Sequence, residues 1–389
     1  MNLLAPHLVY PPRHGADLYV ERLARHVSQV RGQSLLLGSR ELLTYCEGQL
    51  VSQQPYANEF RSKSVAALRV LIRQSNYYVE KFLTPAFSAR AAQMLGQFPD
   101  SVVVCSYLAT ASLLPGLAWD GPSITLTHND EVAWFLHQVH SFANPLQKAV
   151  AWSSARWVKR FLRQHSAKLT LAHIAEADHA AYDAYLPGHP FLLVPAGVDV
   201  APLAPLPVPD GKIRLVFAGS LSTRMNYDAL RFFSDHFWDL LHTHLPSMTM
   251  TVLGSAPSPS VRTLCRTAGW DLIPDLPDAE FKAALSRADF SVLPFSYTTG
   301  AKLKLLTSLA VGVPVLATTN MDILPGQRFP PNFYADTPDA WLAHLRQFSA
   351  QGPDHAARQA CHQYALRYSW ESIARTMVAD YQRQTQQSQ

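Results

Sequence analysis

The sequence predicts an α/β protein with two Rossmann-like domains built on parallel sheets. Three observations predict it. Short, continuous apolar runs recur at Ser101–Ser106, Ile124–Thr127 and Phe290–Phe295, the pattern of strands buried on both faces. The stretch Phe290–Thr318 reads as strand, small polar loop, helix and strand, which is a right-handed βαβ unit. Between the halves lies Ala201-Pro-Leu-Ala-Pro-Leu-Pro-Val-Pro-Asp210, too rich in proline for regular structure and suited to a stiff linker.

The 389 residues are enough for two or three cores of ~150 residues each. A formal charge of +4 does not suggest nucleic acid as a partner. The four cysteines, Cys46, Cys105, Cys265 and Cys361, are far apart and imply neither a metal site nor a disulfide framework. A reducing cytoplasm is the expected compartment. Pro6 and His7 break the first apolar run, so no signal peptide is expected, and no apolar run reaches the ~18 residues of a membrane span.

In chain order, Asn2–Leu8 is expected as the first strand. Pro11–Asp17 is expected as a loop, and Leu18–Val30 as a helix with Leu18, Val20, Leu23 and Val27 inward. Gly15 lies in that loop, where a glycine lets backbone approach a ligand closely; an ordinary strand-to-helix turn reads the same way. Ser34–Leu37 is the next strand. Val65–Phe82 is expected as one or two helices, with Leu68, Leu71, Ile72, Tyr78 and Phe82 on the apolar side.

After the strand Ile124–Thr127 comes Thr127-His-Asn-Asp-Glu131, a polar cluster at a strand's carboxyl end, where open α/β sheets bind ligands. His128 can act there as a base or hold a hydroxyl. The residues alone equally allow Asn129 or Asp130 as a helix cap, a structural His128, and Glu131 as a first-turn acid. The segment 132–175 has no Asp or Glu but has Lys148, Arg156, Lys159, Arg160, Arg163 and Lys168, interleaved with Trp134, Phe135, Phe142, Trp152, Trp157 and Phe161. That is the composition of an interfacial membrane helix, and also of a core helix with a basic outer side. Leu169–Ile174 and Ala175–Tyr185 read as a strand and a short helix.

The second half opens with the strand Ile213–Gly219, a loop Ser220–Met225 and a helix Asn226–Leu241. Met248–Gly254 is a strand, Ser260–Ala268 a helix and Trp270–Ile273 a strand, and Asp278 is expected to cap a helix ending at Ala288. In the βαβ unit, Ser296–Gly300 is the loop and Lys302–Val311 the helix, stopped by Gly312. A helix leaving a small-residue loop turns free N–H groups and its positive dipole end toward a phosphate. Phe333–Tyr334 and Pro338–Ser349 make the last strand and helix, and Ser369 caps a final helix with Ile373 and Met377 inward.

Gly300, Lys304, Ala310, Gly312, Pro314 and Val315, with Lys302 in place of an arginine, resemble the donor segment G-T-R-x-K-x-x-E-A-x-A-x-G-x-P-V of family 4 glycosyltransferases. Phe217-Ala-Gly-Ser220, His128-Asn-Asp-Glu131 and Val194-Pro-Ala-Gly-Val-Asp199 resemble further segments of that family. Where the family carries two glutamates, this chain has Thr299 and Thr307, which lack the charge-assisted hydrogen bonds of a carboxylate.

The resemblance implies a GT-B fold, two facing Rossmann-like domains with a cleft. Its expected divisions are an acceptor domain over 1–190, a linker over 191–210, a nucleotide-sugar domain over 211–368, and a helix over 369–389 returning to the first domain. It implies a retaining, metal-independent hexosyltransferase in glycan or polysaccharide biosynthesis. The sugar would pass from a nucleotide diphosphate sugar, a co-substrate rather than a cofactor, to a glycan, lipid-linked or small-molecule hydroxyl. Gly219, Ser220, Arg224, Gly300, Ala301 and Lys302 would hold the donor phosphates. Thr299 would belong to the same donor loop and Thr307 would sit near the ribose. Gly15 would let the first-domain loop approach, and His128 with Glu131 would serve the reacting centre. Contact with the inner face of a membrane through 132–168 is a further expectation. A GT-B homologue that has lost catalysis and binds within a glycan assembly complex is the alternative, motivated by the two threonines. A nucleotide-sugar epimerase on the same fold is a third reading.

Overall fold

The computed structural model describes residues 1–12, 15–117, 119–200, 202–203, 210–296, 303–321 and 332–387. The chain forms two compact units, Met1–Ala196 together with Trp370–Gln389, and Gly197–Ser369.

The first unit runs β1 (Asn2–Leu4), α1 (Gly15–Arg31), β2 (Gln33–Leu37), β3 (Glu41–Cys46), β4 (Gln49–Pro55), α2 (Lys63–Arg73), α3 (Tyr77–Phe82), α4 (Pro85–Gln97), β5 (Val103–Ser106), α5 (Leu108–Ala111), β6 (Ser123–Thr127), α6 (Glu131–Ser141), α7 (Pro145–His165), β7 (Thr170–His173), α8 (Glu176–Asp183) and β8 (Phe191–Leu193). Its sheet has the order β4-β3-β2-β1-β5-β6-β7-β8. From β2 to β8 every pairing is parallel; β3 and β4 add an antiparallel edge. The sequence reading did not include this hairpin. Its signal is the two-residue loop Glu47-Gly48, with φ of 48° and 80°, the left-handed pair of a type I′ turn.

The helix α1 begins at Gly15, three residues earlier than expected, and this corrects its inward face. Leu18 is exposed, while Tyr19, Val20, Leu23 and Val27 are buried. A second correction concerns α2. Only Ala66 and Val70 face the core, and Leu68 and Ile72 are 59% and 72% exposed. A peripheral helix needs only a narrow contact stripe, and the periodicity of 65–82 does not say which apolar stripe is used.

The second unit runs β9 (Ile213–Ala218), α9 (Arg224–Phe233), α10 (Asp239–His244), β10 (Met248–Gly254), α11 (Pro259–Ala268), β11 (Asp271–Pro274), α12 (Asp278–Ser286), β12 (Phe290–Leu293), α13 (Leu303–Ala310), β13 (Val315–Ala317), β14 (Phe333–Tyr334), α14 (Pro338–Gln351) and α15 (His355–Leu366). Its strands are all parallel in the order β11-β10-β9-β12-β13-β14. That is the doubly wound Rossmann order, with the reversal point at β9 and β12. The single helix expected over 226–241 is broken by a π-helical turn at Ser234–Trp238. Asp278 does not cap α12 through its side chain. Pro277 holds the cap position, and Asp278 in the first turn pairs with Lys282 at 2.7 Å. Gly312, at φ +74°, ends the helix run after α13 as expected.

The last helix, α16 (Trp370–Gln387), belongs to the first unit. Trp370, Ile373, Ala374, Met377 and Tyr381 join Tyr19, Val20 and Leu23 of α1 in one buried cluster.

Candidate functional site

In the first unit the strand order reverses at β1 and β5, and the polar groups gather at the carboxyl ends there. His7 follows β1, Ser106 ends β5, Tyr107 follows it, and His128 follows β6. The Ser106 hydroxyl lies 2.8 Å from His128 Nε2. The Tyr107 ring lies over His128 with centroids 4.2 Å apart, and Tyr19 meets the same imidazole edge-on at 5.4 Å. His7 contacts Tyr107 edge-on at 5.0 Å, and its Nε2 is 3.4 Å from Asp17 Oδ1. Burial, and secondarily the neighbouring His7, pushes His128 down to about 3, so at neutral pH it is an uncharged imidazole.

Tyr107 takes a φ of +71° and ψ of 151°, a backbone conformation that a non-glycine residue adopts only when its surroundings impose it. Glu131 supplies part of that constraint: its Oε1 accepts a 3.0 Å hydrogen bond from the N–H of Leu108, the next residue. Glu131 itself is buried, and burial pushes its carboxyl up to about 8. Its Oε2 has no hydrogen-bond partner among the described residues. Asp130 caps α6, accepting from the N–H groups of Val132 and Ala133. The expected cluster 128–131 therefore divides its work: His128 faces the aromatic site, Asp130 starts the helix, and Glu131 braces the Tyr107 turn. A cavity of about 100 Å³ adjoins it, lined by His7, Tyr78, Phe82, Tyr107 and Thr110 among others.

In the second unit the corresponding reversal point lies at β9 and β12. Gly219 directly follows β9, and its N–H donates to Leu253 O at 3.0 Å. A Cβ at Gly219 would lie 2.9 Å from Lys304 Cε and 3.0 Å from Asn226 Nδ2. The missing side chain is thus the space through which the Lys304 arm passes. Lys304 Nζ sits 5.2 Å from the centroid of Phe295, and burial lowers its pKa. Among the described residues no carboxylate pairs with it. Asn226 holds the Gly219–Thr223 loop by donating to Ser220 O at 2.6 Å. The Ser220 and Ser222 hydroxyls are 3.1 Å apart beside it. Gly254 closes the arrangement, since a Cβ there would lie 1.7 Å from Gly219 O. Gly254→Ala is expected to push the ends of β9 and β10 apart and to destabilise the unit by about 3 kcal/mol or more. Urea denaturation checks this, and an unchanged midpoint would refute it.

The remaining expected residues fall as follows. Arg224 is the first residue of α9 rather than a loop residue, 78% exposed at its side chain, and its Nε pairs with Asp228 at 2.8 Å. Thr307 lies in α13 and donates its hydroxyl proton to Leu303 O at 2.7 Å, leaving its lone pairs to accept. Gly15 is in the first turn of α1, with open space where a Cβ would be. Thr299, Gly300, Ala301 and Lys302 lie outside the described residues. The sequence reading assigned no role to His7, Tyr107, Asn226 or Gly254, and quoted Lys304 only as a motif match. Their common signal is position: His7, Tyr107 and Gly254 stand at or just after the carboxyl end of a strand, and Asn226 and Lys304 in the first turn of the helix that follows one.

Two doubly wound units, each with its polar groups at the reversal point, define an open α/β architecture of the kind that binds ligands beyond the carboxyl ends of its strands. Residues 212–347 match the model of the family described as glycosyl transferases group 1. No curated relative matches the chain. Among solved structures, the chain is similar to a glycosyltransferase from Rickettsia africae, at 12% identity and TM-score 0.60, with 98% of each chain covered. It is similar to sucrose-phosphate synthase from Thermosynechococcus elongatus, at 12% identity and TM-score 0.59, covering 100% of this chain and 99% of that one. WaaG, a glycosyltransferase involved in lipopolysaccharide biosynthesis, gives 14% identity and TM-score 0.58, with 97% and 98% covered. The chain therefore has the GT-B fold, and the family match falls within its second unit.

Proposed function

We propose that the protein transfers a hexose from a nucleotide diphosphate sugar to an acceptor hydroxyl. The observation that carries the proposal is Lys304, a half-buried cation laid along the Gly219 backbone at the second unit's reversal point, inside the matched family segment. A desolvated ammonium beside a helix N-terminus suits a diphosphate, because both neutralise charge that grows as the leaving group departs. That chemistry needs no metal and no cofactor. Gly219, Ser220, Arg224 and the segment 299–302 complete the phosphate site in this reading, and Thr307 accepts from a ribose hydroxyl. In the first unit the neutral His128, set by Ser106 and Tyr107, orients a sugar hydroxyl by hydrogen bonding rather than by taking its proton, because burial holds its pKa far below the range of a general base. Retention of configuration follows the family that the sequence resembles.

The acceptor is proposed to be a glycan or lipid-linked hydroxyl, which the likeness to a lipopolysaccharide glycosyltransferase supports. The proposal includes contact of 132–168 with the inner face of a membrane. Among the described residues no helix is long and apolar enough to cross one. The reading as a non-catalytic partner rests on the threonines at 299 and 307 alone; the family match and the ordered His128 site favour transfer.

Calorimetric titration with UDP, GDP, ADP and dTDP and their common sugars tests the proposal. One nucleotide is expected to bind, and its sugar to be transferred only when an acceptor is present. A folded protein that binds none of them would overturn the proposal, and conversion of free nucleotide sugar without acceptor would point to an epimerase.

A further inference from the structure

We propose that the outer faces of α2 and α7 form one docking surface for a bilayer rich in anionic phospholipid. The inference deepens the membrane contact proposed above and rests on it for the acceptor's location. It adds a helix that lies outside the 132–168 segment.

The first observation is an apolar ladder left in solvent. Val65, Leu68 and Ile72 recur along α2 at helical spacing and are all exposed. Leu146 and Trp152 on α7 are 54% and 50% exposed, and Arg156 lies over the Trp152 ring at 4.5 Å. The two helices adjoin. At its C-terminal end α2 runs into a turn that α7 holds: Ser154 Oγ accepts from Tyr77 N at 3.0 Å, Ser153 Oγ donates to Ser75 O at 3.4 Å, and Arg160 donates to Gln74 O at 2.8 Å. Residues of both helices, among them Lys63, Ala67, Leu146 and Val150, line a groove of about 490 Å³.

The second observation is charge. The segment 61–99 contains Arg61, Lys63, Arg69, Arg73, Lys81 and Arg90 and a single acid, Glu80. Glu80 is buried and paired with Arg69 at 2.7 Å. The segment 132–175 has six more basic residues and no acid. Outside these two segments the chain has 21 basic and 28 acidic residues, so this basicity is local. Exposed leucine, isoleucine and tryptophan set among uncompensated lysine and arginine match an interface of acyl chains beneath anionic headgroups. A second copy of this chain fits poorly, because a two-fold contact would lay the basic face against itself.

The test uses the full chain and vesicles of phosphatidylcholine, alone or mixed with phosphatidylglycerol. Co-sedimentation is expected with the mixed vesicles only, and is expected to weaken as salt rises. The double variant Leu68→Glu, Ile72→Glu alters only exposed side chains and is expected to lower vesicle binding roughly tenfold or more. Its nucleotide titration is expected to be unchanged. Absence of binding to mixed vesicles, or equal binding by the variant, would overturn the inference. So would a dimer in sedimentation velocity that the variant dissociates, which would assign the face to a second copy. Vesicle binding without nucleotide binding would sink the transfer reading and leave the docking surface standing.

Discussion

Lys304→Ala is expected to lower affinity for the bound nucleotide diphosphate by about ten- to a hundred-fold, with the fold intact. A hydrogen bond to a charged group contributes about 1.5–3 kcal/mol, and each 1.4 kcal/mol is a factor of about ten. Lys304 is well placed to give that full value. Its arm runs beside Gly219 and burial has already stripped part of its hydration. The alanine variant removes a desolvated cation without leaving a described carboxylate unpaired, so the protein should not lose stability and should gain slightly. The turnover rate should fall further than affinity, by about 10²-fold or more, because the leaving group's charge develops in the transition state. Lys304→Arg is not expected to restore activity, since a planar fork does not follow the track that one ammonium arm takes past Gly219. Arg224→Ala should have the smaller effect. Arg224 is exposed, and its pair with Asp228 is of the kind worth about 0.3–0.5 kcal/mol. Calorimetry and kcat/KM on the three variants check the ranking. Unchanged affinity in Lys304→Ala would remove Lys304 from the donor site and the main support for the transfer reading.

The legible parts of the fold were those whose residues are committed by local chemistry. The strands within Ser101–Ser106 and Phe290–Phe295 were legible because parallel strands covered on both faces read as continuous apolar runs. Gly312 announced the end of α13 because only glycine takes its φ cheaply. The illegible parts depend on neighbours distant in sequence. Leu68 and Ile72 have the periodicity of a buried stripe, yet the core takes Ala66 and Val70, and nothing within α2 records which stripe meets the sheet. The β3–β4 hairpin hid because Glu47, at the first left-handed position of its turn, is not a residue that usually marks one. In the site, His128 was legible because a polar run follows an apolar strand. Lys304 and Gly219 are 85 positions apart, and only the strand order brings them together. His7 and Tyr107 were missed for the same reason: each is a lone aromatic or imidazole after a strand, and their meeting at His128 is a property of the sheet.

Glu131→Ala is expected to destabilise the first unit by about 2–4 kcal/mol and to reduce turnover, whereas Glu131→Gln should largely preserve both near neutral pH. Alanine leaves the buried N–H of Leu108 without its acceptor and opens space behind it. Glutamine keeps an oxygen for that N–H and, like the protonated carboxyl, carries no charge. The pH dependence separates these effects. In the fold the carboxyl titrates near 8, against 4.5 for an ordinary glutamate. Between those values the unfolded chain has released a proton that the folded chain retains, so stability falls as pH rises through the window and levels off above about 8. His128 acts oppositely. Folded, it titrates near 3 against 6.5 when free, so its contribution is complete above 6.5 and is lost as pH falls toward 3. Glu131→Gln removes the first slope and leaves the second, which should move the stability maximum to higher pH. Thermal or urea unfolding between pH 5 and 9 reads this directly, and an unchanged profile would place the Glu131 carboxyl in its ordinary range. Turnover decides its role. If Glu131 only holds Tyr107 in its strained turn over His128, glutamine retains kcat and alanine does not. Equal loss in both variants, with the fold intact, would mean that the buried proton itself takes part in the reaction.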